Sequence, residues 1–143
     1  MTNFYNLCYR EEEREMIPFC KDQNISVLPY SPVAKGFLTG KYTRNEKNDT
    51  IRFKTDPRLA ERFFKPEDFD VLEIVMQISN EKGVKPAQIA LAWLLEKNTA
   101  PIIGVTKKSH VEDAVESLNI KLTSNDMKQL EEPYKMHPTT GYE

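Results

Sequence analysis

The chain has 143 residues, of which 39% are hydrophobic and 29% charged, and its formal net charge is −2. This composition is typical of one globular domain with one hydrophobic core. Because 20 Lys and Arg nearly balance 22 Asp and Glu, no excess of positive charge indicates binding to nucleic acid or to an anionic membrane. The chain is also too short for a complete eight-stranded α/β barrel, which takes about 250 residues.

Two cysteines, Cys8 and Cys20, stand far apart and lack the spacing of a zinc or redox motif. We expect both to be buried thiols in a reducing compartment. The first ten residues lack a basic start followed by an apolar stretch, and no later run approaches the roughly 18 apolar residues of a membrane helix. These features predict a cytoplasmic protein.

The first third of the chain predicts strand, helix, strand and loop. Residues 3–9 are apolar and aromatic, which predicts a strand, and the charged run at 11–15 leads into a helix that Pro18 kinks or restarts. A short β-branched run at 25–30 predicts a second strand. Periodicity is then lost between residues 31 and 65, which predicts a long loop with at most a short helix near 59–63.

The rest of the chain predicts four helices and one strand. Helices are expected over 66–82 and 85–95, and a third strand over 101–105. Ser109, with Glu112 three residues on, is expected to cap the next helix, and a last helix is expected over 124–132. Strands that alternate with helices predict a parallel sheet in an α/β fold.

Two strand ends are candidate ligand sites, because parallel α/β folds bind ligands at the carboxyl ends of strands. Residues 29–36 and 104–108 combine small or turn-forming residues with hydroxyl groups and lysines, which suits an anion. The alternatives are a core tyrosine at Tyr30, and a capped helix start with solvated lysines after Gly104. The sequence shows no nucleophilic triad, no metal-ligand cluster and no glycine-rich nucleotide motif.

Four motifs resemble the aldo/keto reductases: NFYNL at 3–7, PYSPVAKG at 29–36 followed by LTGKY, ALAWLL at 90–95, and PIIGVT at 101–106. Within this family, the sequence most resembles the bacterial and fungal branch that includes aryl-alcohol-dehydrogenase-like members. It covers essentially the whole chain, but it resembles only the carboxyl-terminal half of such a reductase. The implied fold is a single truncated domain over 1–143, a partial (β/α)8 barrel with about the last three strands and their helices.

The resemblance implies an NADP-dependent oxidoreductase that interconverts aldehydes or ketones with alcohols by hydride transfer. The family's catalytic Asp, Tyr, Lys and His lie in the amino-terminal half, and no position here corresponds to any of them. We therefore expect residual cofactor binding without catalysis, and a small carbonyl substrate only in a completed barrel. The alternatives are a non-catalytic assembly module that dimerises or pairs with a chain carrying the other half-barrel, or a poorly folded fragment without function.

The resemblance also implies a set of cofactor contacts. Tyr30 would stack against the nicotinamide, and the pyrophosphate would be enclosed by Ser31, Pro32, Val33, Ala34 and Gly36. The diphosphate and adenosine would be clamped from the long loop by Lys41 and Arg52. The segment with Gly104, Thr106 and Lys107 would recognise the 2′-phosphate, and His110 and Asp113 would face the adenosine.

Overall fold

The computed structural model describes residues 1–44 and 51–136, apart from a few side chains between 51 and 60. A short parallel sheet pairs β1 (Thr2–Phe4) with β2 (Leu28–Tyr30). The third predicted strand is reduced to a single parallel bridge between Tyr30 and Ile102. Its backbone still follows β2, because Ile102 N–H donates to Pro29 at 2.7 Å. Pro101, which has no N–H, limits further pairing in this segment.

Of the two alternatives that the sequence leaves open for Pro18, a kink or a restart of the helix, the structure shows the restart. A 3₁₀ turn over Glu11–Glu13 is followed by α1 (Met16–Asp22). Pro18 is therefore the third residue of α1, in the first turn, where a backbone N–H has no partner within the helix. Cys20 of α1 is buried and free, as is Cys8, which agrees with the sequence prediction for both thiols.

Short helices interrupt the segment 31–65 that the sequence predicts as a long loop. They are a 3₁₀ segment over Ala34–Thr39, α2 (Ile51–Thr55) and α3 (Pro57–Arg62). Aromatic packing holds this segment: Phe37 stacks on Phe63 with ring centroids 6.0 Å apart and meets Phe69 edge-on at 5.2 Å. These contacts are long-range, so local periodicity does not reveal them.

Four helices follow: α4 (Pro66–Lys82), α5 (Pro86–Glu96), α6 (Lys108–Ser117) and α7 (Ser124–Glu131). Their bounds agree with the sequence prediction to within one residue. The exception is the cap of α6, because Ser109 lies inside the helix and Lys107 precedes it. Helix α5 packs on α4 and α6, and α4 packs on α7.

One buried cluster joins the start of the described chain to its end. Trp93 is fully buried, and its Nε1 donates to Glu131 Oε1 at 3.0 Å. Arg10 lies over the Trp93 ring and pairs with Glu131 at 3.1 Å, while Lys97 approaches the same carboxylate at 2.7 Å. Tyr134 completes the cluster by accepting the Arg10 backbone N–H at 3.1 Å.

One face of the sheet leaves large apolar side chains exposed. Residues paired across a parallel sheet share a face, so Phe4, Tyr30 and Ile102 project on the same side. Phe4 is covered by Phe63 and Tyr9, whereas Tyr30 and Ile102 are exposed by 43% and 46%. An exposed apolar sheet face of this kind is ordinarily covered by further structure.

Candidate cofactor groove

A groove of about 790 Å³ opens where β2 and the Ile102 segment end. Its walls come from the residues after β2 between Ser31 and Tyr42, from Ala87 and Leu91 of α5, and from the segment between Ile102 and Ala114. The volume lies within the range of small-molecule and cofactor sites. The groove thus joins the two strand ends that the sequence singled out.

The turn after β2 has an unusual backbone. Ser31, Ala34 and Lys35 have φ values of 57°, 49° and 55°, and Gly36 follows at 94°. A left-handed conformation costs a residue with a side chain about 1 to 2 kcal/mol. The turn is held by Ala34 N–H donating to the Ser31 carbonyl at 2.9 Å and Lys35 N–H donating to Ser31 Oγ at 3.0 Å. Strain concentrated beside a groove is typical of ligand sites.

Two lysines line this side of the groove in different ways. Lys35 Nζ pairs with Asp56 Oδ2 at 2.7 Å, which fastens the turn to the residue preceding α3. Lys41 is exposed and makes no ion pair with any residue that the structure describes. The ammonium of Lys41 is therefore the cation on this wall that an anionic ligand can reach without displacing a partner.

The opposite wall begins at Gly104. A Cβ built on Gly104 meets no atom within 4 Å, so packing does not require glycine there. Thr106 Oγ1 lies 3.4 Å from Nδ1 of His110, which stands in the first turn of α6. Both side chains are exposed and line the groove. They place a hydroxyl and an imidazole beside the start of a helix, which favours negative charge.

Asp113 brings a carboxylate to the same wall. Its Oδ1 lies 2.5 Å from Nζ of Lys85, the residue that precedes α5. The hydrogen bond to Asp113 raises the pKa of Lys85. Gln88 of α5 accepts the Lys85 backbone N–H at 2.9 Å and donates to the Asp113 carbonyl at 3.1 Å. Two residues at the start of α5 therefore hold Asp113 from both its side chain and its backbone.

The groove brings together nine of the predicted contact residues: Ser31, Pro32, Val33, Gly36, Lys41, Gly104, Thr106, His110 and Asp113. Three others lie outside its lining. Ala34 is fully buried, Lys107 is exposed beside α6, and Tyr30 contacts Phe4 at 5.3 Å with its ring half exposed. The side chain of Arg52 lies outside the described residues.

The predicted cofactor contacts omit several lining residues, among them Lys35, Thr39, Tyr42, Ala87, Leu91 and Ala114. Leu91 is only 6% exposed and belongs to an apolar helix, so its pattern indicates core. Ala87 and Leu91 lie one turn apart on α5, and that spacing is the one signal that places them on a common face. Lys35 and Thr39 stand in the PYSPVAKG and LTGKY motifs, but the resemblance implies no cofactor contact for either.

Within residues 1–44 and 51–136, no three His, Cys, Asp or Glu side chains come together as a metal-binding group. None of the helices in the described part of the chain has the length and apolar character needed to cross a membrane.

Comparison with known proteins identifies relatives along the whole chain. The model of the aldo/keto reductase family matches residues 1–135. A Schizosaccharomyces pombe protein named as a putative aryl-alcohol dehydrogenase is 41% identical over 141 residues, which are 99% of this chain and 43% of that protein. The versiconal hemiacetal acetate reductase of Aspergillus parasiticus is 38% identical over 145 residues, covering 96% of this chain and 41% of that one.

Solved structures show the same fold at lower identity. Glycerol dehydrogenase from Gluconobacter oxydans superposes with a TM-score of 0.71 at 23% identity, over 98% of this chain and 45% of that one. A thermostable aldo-keto reductase crystallised with the inhibitor epalrestat gives 0.66 at 22% identity, over 92% and 38%. The chain therefore spans about two fifths of the length of its relatives, which agrees with a partial barrel.

Proposed function

Since this chain belongs to the aldo/keto reductase family, we propose that its groove binds NADP and that it is the cofactor-binding portion of a carbonyl reductase. A bound NADPH supplies hydride to the carbonyl carbon of an aldehyde or ketone. The four catalytic residues that the family resemblance implies have no counterpart here, so the proposed reaction needs a completed barrel. The chain alone is expected to bind the cofactor without reducing a small carbonyl substrate.

The strained turn after β2 carries this proposal. Ala34, Lys35 and Gly36 are successive left-handed residues, and Lys35 and Gly36 line the groove. Such a turn lets the main chain approach a ligand closely. The N–H groups of its three left-handed residues donate within the turn, to the Ser31 carbonyl, Ser31 Oγ and the Val33 carbonyl, so we assign them to the shape of the turn and not to phosphate binding. A pyrophosphate on this turn would leave the nicotinamide near β2 and the adenosine near α6.

Charge and hydrogen-bonding capacity on the two walls support the same ligand. Lys41 would meet the diphosphate from the first wall, and Thr106 with His110 would meet an anionic group at the start of α6. Lys107 precedes α6, where its charge adds to the helix terminus. NADP differs from NAD in having a 2′-phosphate, so this second wall favours the phosphorylated cofactor.

Calorimetric titration of the purified chain with NADPH and NADH tests the proposal. Saturable binding with tighter affinity for NADPH is expected, and so is the absence of carbonyl reduction. Lys41→Glu should weaken binding of both nucleotides, whereas Lys121→Glu, an exposed control outside the groove, should not. A folded chain that binds neither nucleotide contradicts the proposal.

A second candidate is an assembly module, favoured by apolar side chains that the fold leaves uncovered. Besides Tyr30 and Ile102 on the sheet, α6 and the residue that follows it expose Val111, Val115 and Leu118 by 44%, 57% and 59%. These three residues lie on one stripe of the helix. We propose that this stripe and the sheet face contact either a second copy of the chain or a separate chain with the remaining barrel strands.

Sedimentation velocity separates these partners. A concentration-dependent dimer that Val115→Lys abolishes would identify a second copy as the partner. A monomer that forms a complex only with a polypeptide carrying the remaining barrel strands would identify the complementary chain. A monomer that binds neither contradicts the assembly role.

We also propose a cytoplasmic location for the protein, because two free buried thiols suit a reducing compartment.

A further inference from the structure

We propose that Lys85 is a positioning residue of the groove, which holds the Asp113 carboxylate in place and offsets its charge for an anionic ligand. The inference rests on the proposed NADP site and concerns a residue that does not line the groove itself. Asp113 lines the groove, whereas Lys85 reaches it from the residue before α5.

The geometry gives Lys85 a fixed position. Its backbone N–H donates to Gln88 Oε1 at 2.9 Å, and its Nζ lies 2.5 Å from Asp113 Oδ1. Gln88 in turn donates to the Asp113 carbonyl and to Glu116. The side chain of Asp113 is 19% exposed, so little water reaches its charge, while that of Lys85 is 61% exposed. The ion pair therefore fixes the side chain of Asp113, and it does so by restricting the conformational freedom of an exposed lysine.

The charge of Asp113 makes this contact relevant to the ligand. An isolated carboxylate on the groove wall repels an anion, and the repulsion grows with the charge of the ligand. With Lys85 on Oδ1, the charge of Asp113 is paired, and the remaining carboxylate oxygen can accept a hydrogen bond from a ribose hydroxyl or an adenine amino group. Lys85 thus allows a hydrogen-bond acceptor to stand in a site that must receive phosphates.

A charge role and a merely structural role predict different results. Lys85→Gln exposes the charge of Asp113, so affinity for NADPH should fall roughly two- to fivefold, the effect expected of an exposed ion pair. The loss should be smaller for NADH, which has less negative charge, and should shrink at high salt. Lys85→Arg should retain binding, since it keeps the charge.

Rescue provides the decisive measurement. In the double variant Lys85→Gln with Asp113→Asn the carboxylate of Asp113 no longer repels the ligand, so its affinity for NADPH should exceed that of Lys85→Gln alone. Lys82→Gln is the matched control. Lys82 Nζ lies 2.8 Å from Asp126 Oδ2 in an interhelical ion pair, and neither residue lines the groove. It should change thermal stability without changing NADPH affinity. The fold of each variant is checked by the fluorescence of buried Trp93.

The outcomes separate this inference from the proposed function. If the unmodified chain binds NADPH and Lys85→Gln binds it equally well, Lys85 has no positioning role and the NADP site stands. Equal losses for NADPH and NADH, or no rescue by Asp113→Asn, would assign Lys85 to helix packing and overturn the inference. If the unmodified chain binds neither nucleotide, both proposals fail together.

Discussion

Gly40 lies so close to Met76 that a Cβ built on the glycine would stand 2.5 Å from Met76 Sδ. Gly40 also has a φ of 76°. We expect Gly40→Ala to destabilise the protein by roughly 1 to 3 kcal/mol, because it combines a strained backbone with overpacking against a flexible side chain. The free energy of unfolding in urea, followed by Trp93 fluorescence, measures the effect.

Gly83 provides the matched control. Its φ is 66°, but a Cβ built there meets nothing within 4 Å. Gly83→Ala should therefore cost only the left-handed conformation, about 1 kcal/mol. If the two variants are equally destabilised, the contact with Met76 contributes nothing and the backbone alone explains both.

The helices are the part of the fold that the sequence predicts best. Pro66 and Gly83 mark the two ends of α4 in the sequence, and the apolar stripe between them is continuous. The third strand is predicted less well, because one bridge at Ile102 depends on where β2 lies rather than on a local pattern. Between residues 51 and 62 the sequence predicts at most a short helix near 59–63, which α3 overlaps, and it does not predict α2.

The candidate groove is predicted in part for a related reason. Gly36 and Thr106 stand in motifs at strand ends, where topology alone indicates a site. Leu91 enters the groove only because α5 packs beside the 102–106 segment, and its sequence context indicates core. Lys85 acts at a distance of 28 residues from Asp113, so only the tertiary structure reveals that contact.

Lys107→Glu tests recognition of the 2′-phosphate. The substitution reverses the charge of an exposed residue just before α6. NADPH affinity should fall roughly tenfold, as expected for a change of two charges near a phosphate, and NADH affinity should fall much less. Calorimetric titration of both nucleotides measures the ratio. An equal loss for the two would count against the predicted role of this segment.

Tyr30→Ala tests the predicted nicotinamide contact. The ring of Tyr30 is half exposed beside the turn that begins the groove. Removing an aromatic stacking surface should weaken NADPH and NADH by similar factors, because both carry the same nicotinamide. Tyr30→Phe keeps the ring and should bind normally. Unchanged binding by Tyr30→Ala would place the nicotinamide elsewhere.

Glu131 is expected to make stability depend on acid pH. Burial raises the pKa of Glu131, but hydrogen bonds from Lys97 and Trp93 and the charge of Arg10 outweigh it, so the net pKa lies below the usual glutamate value. A lowered pKa in the folded state stabilises the protein above the unfolded-state pKa. That contribution is lost as pH falls through the lowered value.

Glu131→Gln should therefore lower the free energy of unfolding at neutral pH by roughly 1 to 3 kcal/mol and flatten its decline in acid. Urea unfolding at several pH values between neutral and acid measures both effects. Glu132→Gln, at the exposed neighbouring position, is the control and should leave the profile unchanged. A Glu131→Gln profile parallel to that of the unmodified chain would contradict the assignment.

The contact between Arg10 and Tyr134 joins residues 124 positions apart. Contacts of such separation form late in folding, because the loop between them must close before they contribute energy. The cluster around Trp93 is therefore completed only after nearly the whole described chain is available. During synthesis, Tyr5 and Arg10 would be available to Trp93 as soon as α5 emerges, whereas its hydrogen bond to Glu131 would form only once α7 is made.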